Sequence, residues 1–237
     1  LDNIIEAIKS AFLLWTIFST MACFHLWFYN KNPKYYFFLL KIMSRWRDTN
    51  WHLNVSYELQ KDDRFYEKFE HLLEELYGRG NYTRSFNLKN KKLYEFKNLT
   101  LIIEYDLDVS HTDKVEIDFH FNNVNVTYQG AMDMLNILNE FFNRLERTFT
   151  FDWKNYSLKI KFTSMHNPFY GLLIQRIGAE HVKHFECFFS FSALEARHSG
   201  NRNGRQNMIS VYKDYISIND EEFDCVAQCA KKCLLMG

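Results

Sequence analysis

Two hydrophobic periodicities alternate along the chain from residue 51 onward, and an unbroken apolar run precedes them. Positions 52–59 alternate apolar and polar, the pattern of a half-buried strand. Over 62–77 the period lengthens to that of a helix, placing Phe65, Phe69, Leu72, Leu73 and Leu76 on one face, with Gly78 as its stop. Alternation then predicts strands near 84–96, 99–109, 114–121 and 123–128. A second helix over 130–147 gathers Met134, Leu135, Leu138, Phe141, Phe142 and Leu145. A strand at 156–163, a helix near 168–180 and a strand at 184–192 follow. Short strands at 207–212 and 215–218 turn about Lys213-Asp214, and a last helix covers 220–235. This mixture is α+β with a mixed or antiparallel sheet. The order strand, helix, strands, helix occurs in 52–147 and again in 156–235. That order raises a diverged duplication, without a residue-level repeat behind it.

The run Ala11 to Tyr29, AFLLWTIFSTMACFHLWFY, holds no Asp, Glu, Lys or Arg. As a helix it would span about 28 Å, close to the hydrocarbon thickness of a bilayer. Trp15 lies toward one end and Trp27, Phe28 and Tyr29 toward the other, as an aromatic belt would. Lys31, Lys34, Lys41, Arg45 and Arg47 follow, with Asp48 as the single opposing charge up to residue 50. The positive-inside rule then puts the N-terminus outside and the remainder in the cytosol, as a single-pass protein. Two readings compete with this one: a buried core helix, and a signal peptide. The segment Thr20-Met21-Ala22-Cys23 fits a lipoprotein cleavage site poorly, and the apolar run continues past it. Thr16, Ser19, Thr20 and Cys23 share one helical face. Small polar residues on one stripe suit helix–helix association in lipid, and hence a homo-oligomer. The alternative is that the hydroxyls bond their own i−4 carbonyls.

Residues 33–47, PKYYFFLLKIMSRWR, are aromatic, basic and too short to span. They read as an interfacial helix on an anionic leaflet, or as a helix packed on the soluble domain. The expected organisation is therefore a transmembrane helix at 1–32, a linker helix at 33–50 and a cytosolic domain at 51–237. Asn54, Asn81, Asn98, Asn125 and Asn155 head glycosylation sequons, which this orientation leaves unused.

With 29 basic and 29 acidic residues among 237, the chain is neutral overall, which argues against extended nucleic-acid binding. Aromatic residues make up 18%, enough apolar material to exclude disorder. The sequence has no phosphate-binding loop, nucleophile elbow or dinucleotide fingerprint. Cys225, Cys229 and Cys233 fall at helical spacing and read as small core residues, not zinc ligands.

Charge is organised in two places. On the hairpin of 101–109 and 114–121, Glu104 and Asp106 point opposite to the apolar positions, as do Glu116, Asp118 and His120. The expected register sets Glu104 against Asp118 and Asp106 against Glu116, like charges that destabilise a strand pair. Three things would offset this: Lys159 and Lys161 on an adjacent strand, a basic partner, or a divalent cation held by those five residues. The second place is a pair of basic, glycine-containing loops. Arg79 and Arg84 flank one; Arg197, His198, Arg202 and Arg205 crowd the other. Arginines and free backbone N–H groups suit an anionic, nucleotide-like ligand, whereas the competing reading is a solvated loop.

Three functions follow as expectations. The first is a membrane-anchored, self-associating protein whose cytosolic domain senses an anionic ligand or docks a partner, with a membrane-disrupting defence effector as one form. The second is a non-catalytic subunit of a larger membrane complex. The third is a metal-dependent phosphodiesterase using the acidic hairpin. No resident cofactor is expected, and a catalytic role is not favoured.

Overall fold

In a computed structural model, residues 2–32, 35, 38, 39, 42, 48–88, 90–105, 113–127, 129–163, 167–190 and 208–234 are described. They divide into two compact units, one made of 1–43 with 168–183 and the other of 44–167 with 184–237.

The first unit contains α1 (Asp2–Lys31), a helix over Pro168–Ile177, shorter than the expected 168–180, and a short 3-10 turn at Ala179–His181. Helix α1 is long and apolar enough between Lys9 and Phe28 to cross a membrane. Every side chain from Ala11 to Phe28 is exposed. At its far end His25 Nδ1 is hydrogen-bonded to the Tyr35 hydroxyl at 2.8 Å. The interfacial helix expected over 33–47 falls mainly outside the described residues, although Tyr35, Phe38, Leu39 and Ile42 are helical.

The second unit is a nine-stranded antiparallel sheet. Its strands are β1 (Thr49–Gln60), β2 (Tyr82–Asn87), β3 (Lys91–Phe96), β4 (Thr100–Tyr105), β5 (Lys114–Val126), β6 (Phe151–Phe162), β7 (Glu186–Ser190), β8 (Met208–Tyr212) and β9 (Tyr215–Asp220). Across the sheet the order is β2-β3-β4-β5-β1-β6-β9-β8-β7. Helices α2 (Phe65–Tyr77) and α3 (Ala131–Thr148) lie between strands in sequence; the helix of the first unit is α4 (Pro168–Ile177), and α5 (Phe223–Cys233) closes the chain. Two series, β3-β4-β5-β1 and β7-β8-β9-β6, run inward to a central seam where β1 meets β6. In each half the seam strand comes first, then a helix, then the antiparallel strands, then a helix, with β2 an addition to the first half.

Odd-numbered residues of β1, from Trp51 to Leu59, are buried, and so are the residues opposite them on β5 and, for Tyr156, Leu158 and Ile160, on β6. These positions face α2, α3 and α5, because strand side chains alternate between faces. Helix α2 inserts Phe69 against Tyr94 and Phe119, α3 sets Phe141 and Phe142 on Phe121, and Phe223 of α5 meets Phe142 and Tyr156. Such rings bury large areas with directional edge-to-face contacts, which explains why this core uses so many of them. Tyr57 and Tyr156 hydrogen-bond at 2.7 Å, and Tyr156 donates to Glu146 at 2.5 Å, so these two buried hydroxyls are satisfied.

Several boundaries differ from the sequence expectation. The strand expected over 84–96 is two strands, β2 and β3, joined by a turn in which the Leu88 N–H donates to the Lys91 carbonyl. The strands expected at 114–121 and 123–128 are one strand, β5, because Asn123 takes a left-handed conformation (φ 58) where the β1–β5 register shifts. An extra residue there bends the strand without ending it. Strand β6 begins at Phe151, ahead of the expected 156, with a second register shift near Asp152. Gly78 does end α2: at φ 77 its N–H donates to the Glu74 carbonyl.

Candidate functional site

The face of the sheet opposite the helices carries the polar alternates of the central strands β5, β1, β6 and β9. Among the described residues of this unit, no helix packs on it. Four rows of paired residues cross it. In the first, Glu104 of β4, Asp118 of β5, Ser56 of β1 and Asn155 of β6 are successive neighbours. The second holds Ile102, His120, Asn54, Ser157 and Asn219. In the third, His52, Lys159, Ser217, Ser210 and Phe188 follow one another. Asn50, Lys161 and Tyr215 form the fourth, with Tyr212 stacked on Tyr215 at 4.3 Å.

Amides and imidazoles knit the middle of this face. Asn50 donates to Asn125 at 2.8 Å, and His120 Nδ1 is hydrogen-bonded to the Asn54 side chain at 2.9 Å. His52 meets Asn122 at 3.3 Å. Toward β3–β5 the face is acidic: Glu58, Glu104, Glu116 and Asp118 lie there with Lys91 and Lys114. Toward β9 it is basic and aromatic, with exposed Lys159 and Lys161, half-buried Tyr212 and Tyr215, and Phe188 half exposed on β7. The Lys159 ammonium sits 4.0 Å above the Tyr215 ring, a cation–π geometry that fixes the charge in place.

The opposition of Glu104 and Asp118 is present as the sequence implies, but its compensation differs. Strand β1 separates β6 from β5, so Lys159 and Lys161 are not next to the acidic strand. Lys91 of β3 lies directly across from Glu104 and forms an ion pair with it, and Ser56 donates to Asp118 at 2.5 Å. The expectation failed because sequence alone does not say which strand enters the sheet between two others. Asp106, a member of the proposed metal set, lies outside the described residues. Glu104, Asp118 and His120 have the protein partners given above, and Glu116 stands opposite Glu58. Among the described residues, no group of three or more His, Cys, Asp or Glu side chains is placed to hold a metal ion.

The basic loops resolve unequally. Arg79 donates to Glu74 at 2.8 Å and Arg84 to Glu70 at 2.8 Å, so both proposed anion-binding arginines are ion-paired with α2. Glu70 also accepts hydrogen bonds from Lys92 and Tyr94, each at 3.0 Å. Burial alone would raise the Glu70 carboxyl, but the hydrogen bonds from Lys92 and Arg84 outweigh it and hold it below its ordinary range. Arg197, His198, Arg202 and Arg205 lie outside the described residues.

On α1, Thr16 donates to the Phe12 carbonyl at 2.8 Å, Ser19 to Trp15 at 2.9 Å and Thr20 to Thr16 at 2.8 Å. The stripe hydroxyls thus have intrahelical partners within one chain, and Cys23 on the same stripe is an exposed free thiol. Cys225, Cys229 and Cys233 are buried on α5, where desolvation pushes the Cys233 thiol up to about 12, leaving it protonated and unreactive. A shallow hollow of about 390 Å³ beside Asn136, Asn139, Asn143 and Arg147 is formed by one helix alone, the solvent side of α3.

The sequence hid the continuity of the open face. The alternation of Lys159 with Lys161, and of Tyr215 with Ser217, marks each strand's polar side; the order that joins them is set by long-range pairing. Fold and face together define an antiparallel α+β unit carried on a chain with a candidate membrane-spanning helix. Comparison of the chain with protein-family models and with curated proteins finds no match to either.

Proposed function

We propose that this chain is a single-pass membrane protein with its N-terminus outside, whose cytosolic α+β unit docks a partner or an anionic ligand. One observation carries the reading: the charge-free run of α1, with Phe12, Trp15, Phe18 and Phe24 each more than 60% exposed, has no cover among the described residues. Apolar surface costs roughly 25 cal/mol per Å² in water, so a helix of this length bare of cover calls for an apolar solvent. Lipid supplies it, and the cations after residue 30 orient it. Self-association through Thr16, Ser19, Thr20 and Cys23 belongs to the same reading: hydroxyls that satisfy themselves in one chain can still pack closely against a second helix. A membrane-disrupting effector, with the loop bearing Arg197, His198, Arg202 and Arg205 as its anion sensor, is the form in which ligand and bilayer are coupled. The open sheet face favours a second reading, a non-catalytic docking subunit of a larger complex. The matching order of elements in the two halves supports a diverged duplication as the origin of the sheet.

Membrane fractionation of the full chain tests this. The protein is expected to stay in the carbonate-washed membrane pellet and to need detergent for release. Recovery as a monodisperse soluble species would overturn the reading. So would an intact mass showing loss of the residues before Cys23, the mark of a signal sequence.

A further inference from the structure

We propose that the open face of the nine-stranded sheet seats a second copy of this chain, the acidic half of each copy lying over the basic, aromatic half of the other. The two signs are unevenly spread on one surface: Glu58, Glu104, Glu116 and Asp118 outnumber Lys91 and Lys114 toward β4 and β5, whereas Lys159 and Lys161 outnumber Glu186 from β6 to β7. A polyanion laid across the face would meet the acidic half, and a polycation the lysines. An identical copy turned by a two-fold axis meets neither repulsion, because the axis exchanges the halves. The axis crosses the seam near Asn54 and Ser157, which pair across β1 and β6. Uncharged side chains hold that crossing, and amides and hydroxyls both donate and accept, so they match their own symmetry mates.

Size and preorganisation agree. Six strands from β4 to β8 at about 4.8 Å spacing, some 25 Å long, present about 700 Å² per copy, near the roughly 800 Å² of a stable interface. Lys159 is already held on Tyr215, and Tyr215 on Tyr212, so docking orders little that is free. The neutral chain carries no net repulsion against its copy. None of this rests on α1 lying in lipid; the face belongs to the sheet alone.

The test uses full-length chains with two tags, in mild detergent if detergent is needed for release and in buffer otherwise. One variant carries K159E/K161E and the other E104K/E116K; circular dichroism melts verify that each folds. Wild type is expected to co-purify with wild type, and the pairing to weaken about tenfold as salt rises from low to high. Each variant is expected to lose self-pairing by about tenfold, and the two variants mixed are expected to pair at least as well as wild type. Equal pairing of every combination would place association on α1 and overturn the proposal, leaving the membrane reading intact. A monomeric wild type, or variants that fail to pair when mixed although folded, would overturn it as well.

Discussion

Tyr57 and Tyr156 join their hydroxyls at 2.7 Å across the central seam, 99 positions apart in sequence. The bond ties the two halves of the sheet together beneath α3, and Glu146 of that helix accepts from Tyr156. Burial raises both phenols well above their ordinary range, chiefly by desolvation, so they remain neutral donors at any physiological pH. Replacing Tyr156 with Phe leaves Tyr57 and Glu146 short of a partner. A loss of about 1–3 kcal/mol in urea unfolding is expected; an unchanged midpoint would show that the seam does not depend on this bond.

Phe142 touches Phe121, Phe141, Tyr156 and Phe223, elements from both halves. Phe142→Ala opens a cavity at their junction. The expected cost is about 3–5 kcal/mol, at the upper end because aromatic neighbours on three elements cannot all collapse inward. Thermal melting monitored by near-UV circular dichroism measures it.

Glu70 gives the fold an acid limit. Its folded carboxyl sits below the ordinary 4.5, so its stabilising contribution is complete above that value. The contribution is lost as pH falls below 4.5 through the folded value. Glu70→Gln should therefore cost about 1–2 kcal/mol at pH 7, a figure discounted for the partial exposure of the group. At pH 3 the gap between variant and wild type should shrink. A gap that stays constant between the two pH values would remove Glu70 from the account.

The cysteines divide by position. Cys23 and Cys187 are exposed, whereas Cys225, Cys229 and Cys233 are buried on α5. A thiol reagent in aqueous solution at pH 8 should reach Cys187 quickly and the α5 thiols only on unfolding. Reconstitution into liposomes should protect Cys23 and leave Cys187 reactive. Equal reactivity of Cys23 with and without lipid would contradict the bilayer placement of α1.

Much of this architecture is legible in the sequence, and its gaps have physical causes. Helices α2 and α3 announce themselves because each has a single apolar stripe, and Gly78 marks a stop that only its left-handed backbone permits. The β2–β3 turn is harder to see: neither Gly nor Pro stands between Asn87 and Lys91. Asn123 misleads in the other direction, since a residue at home in turns here bulges a continuous strand. The acidic pairing of Glu104 with Asp118 follows from a local hairpin and is readable. The lysine that answers it is not, because the choice of Lys91 over Lys159 depends on β1 being inserted beside β5. The open face as a surface is invisible for the same reason.

The seam also dictates an order of events during synthesis. A chain completed only as far as Thr148 can pair β1 with β5, yet it has nothing to set against the other edge of β1. That edge runs from Thr49 to Gln60 and stays bare until Phe151–Phe162 arrives. A long, half-apolar edge is a template for wrong partners, so β1 is exposed to mispairing until β6 is made.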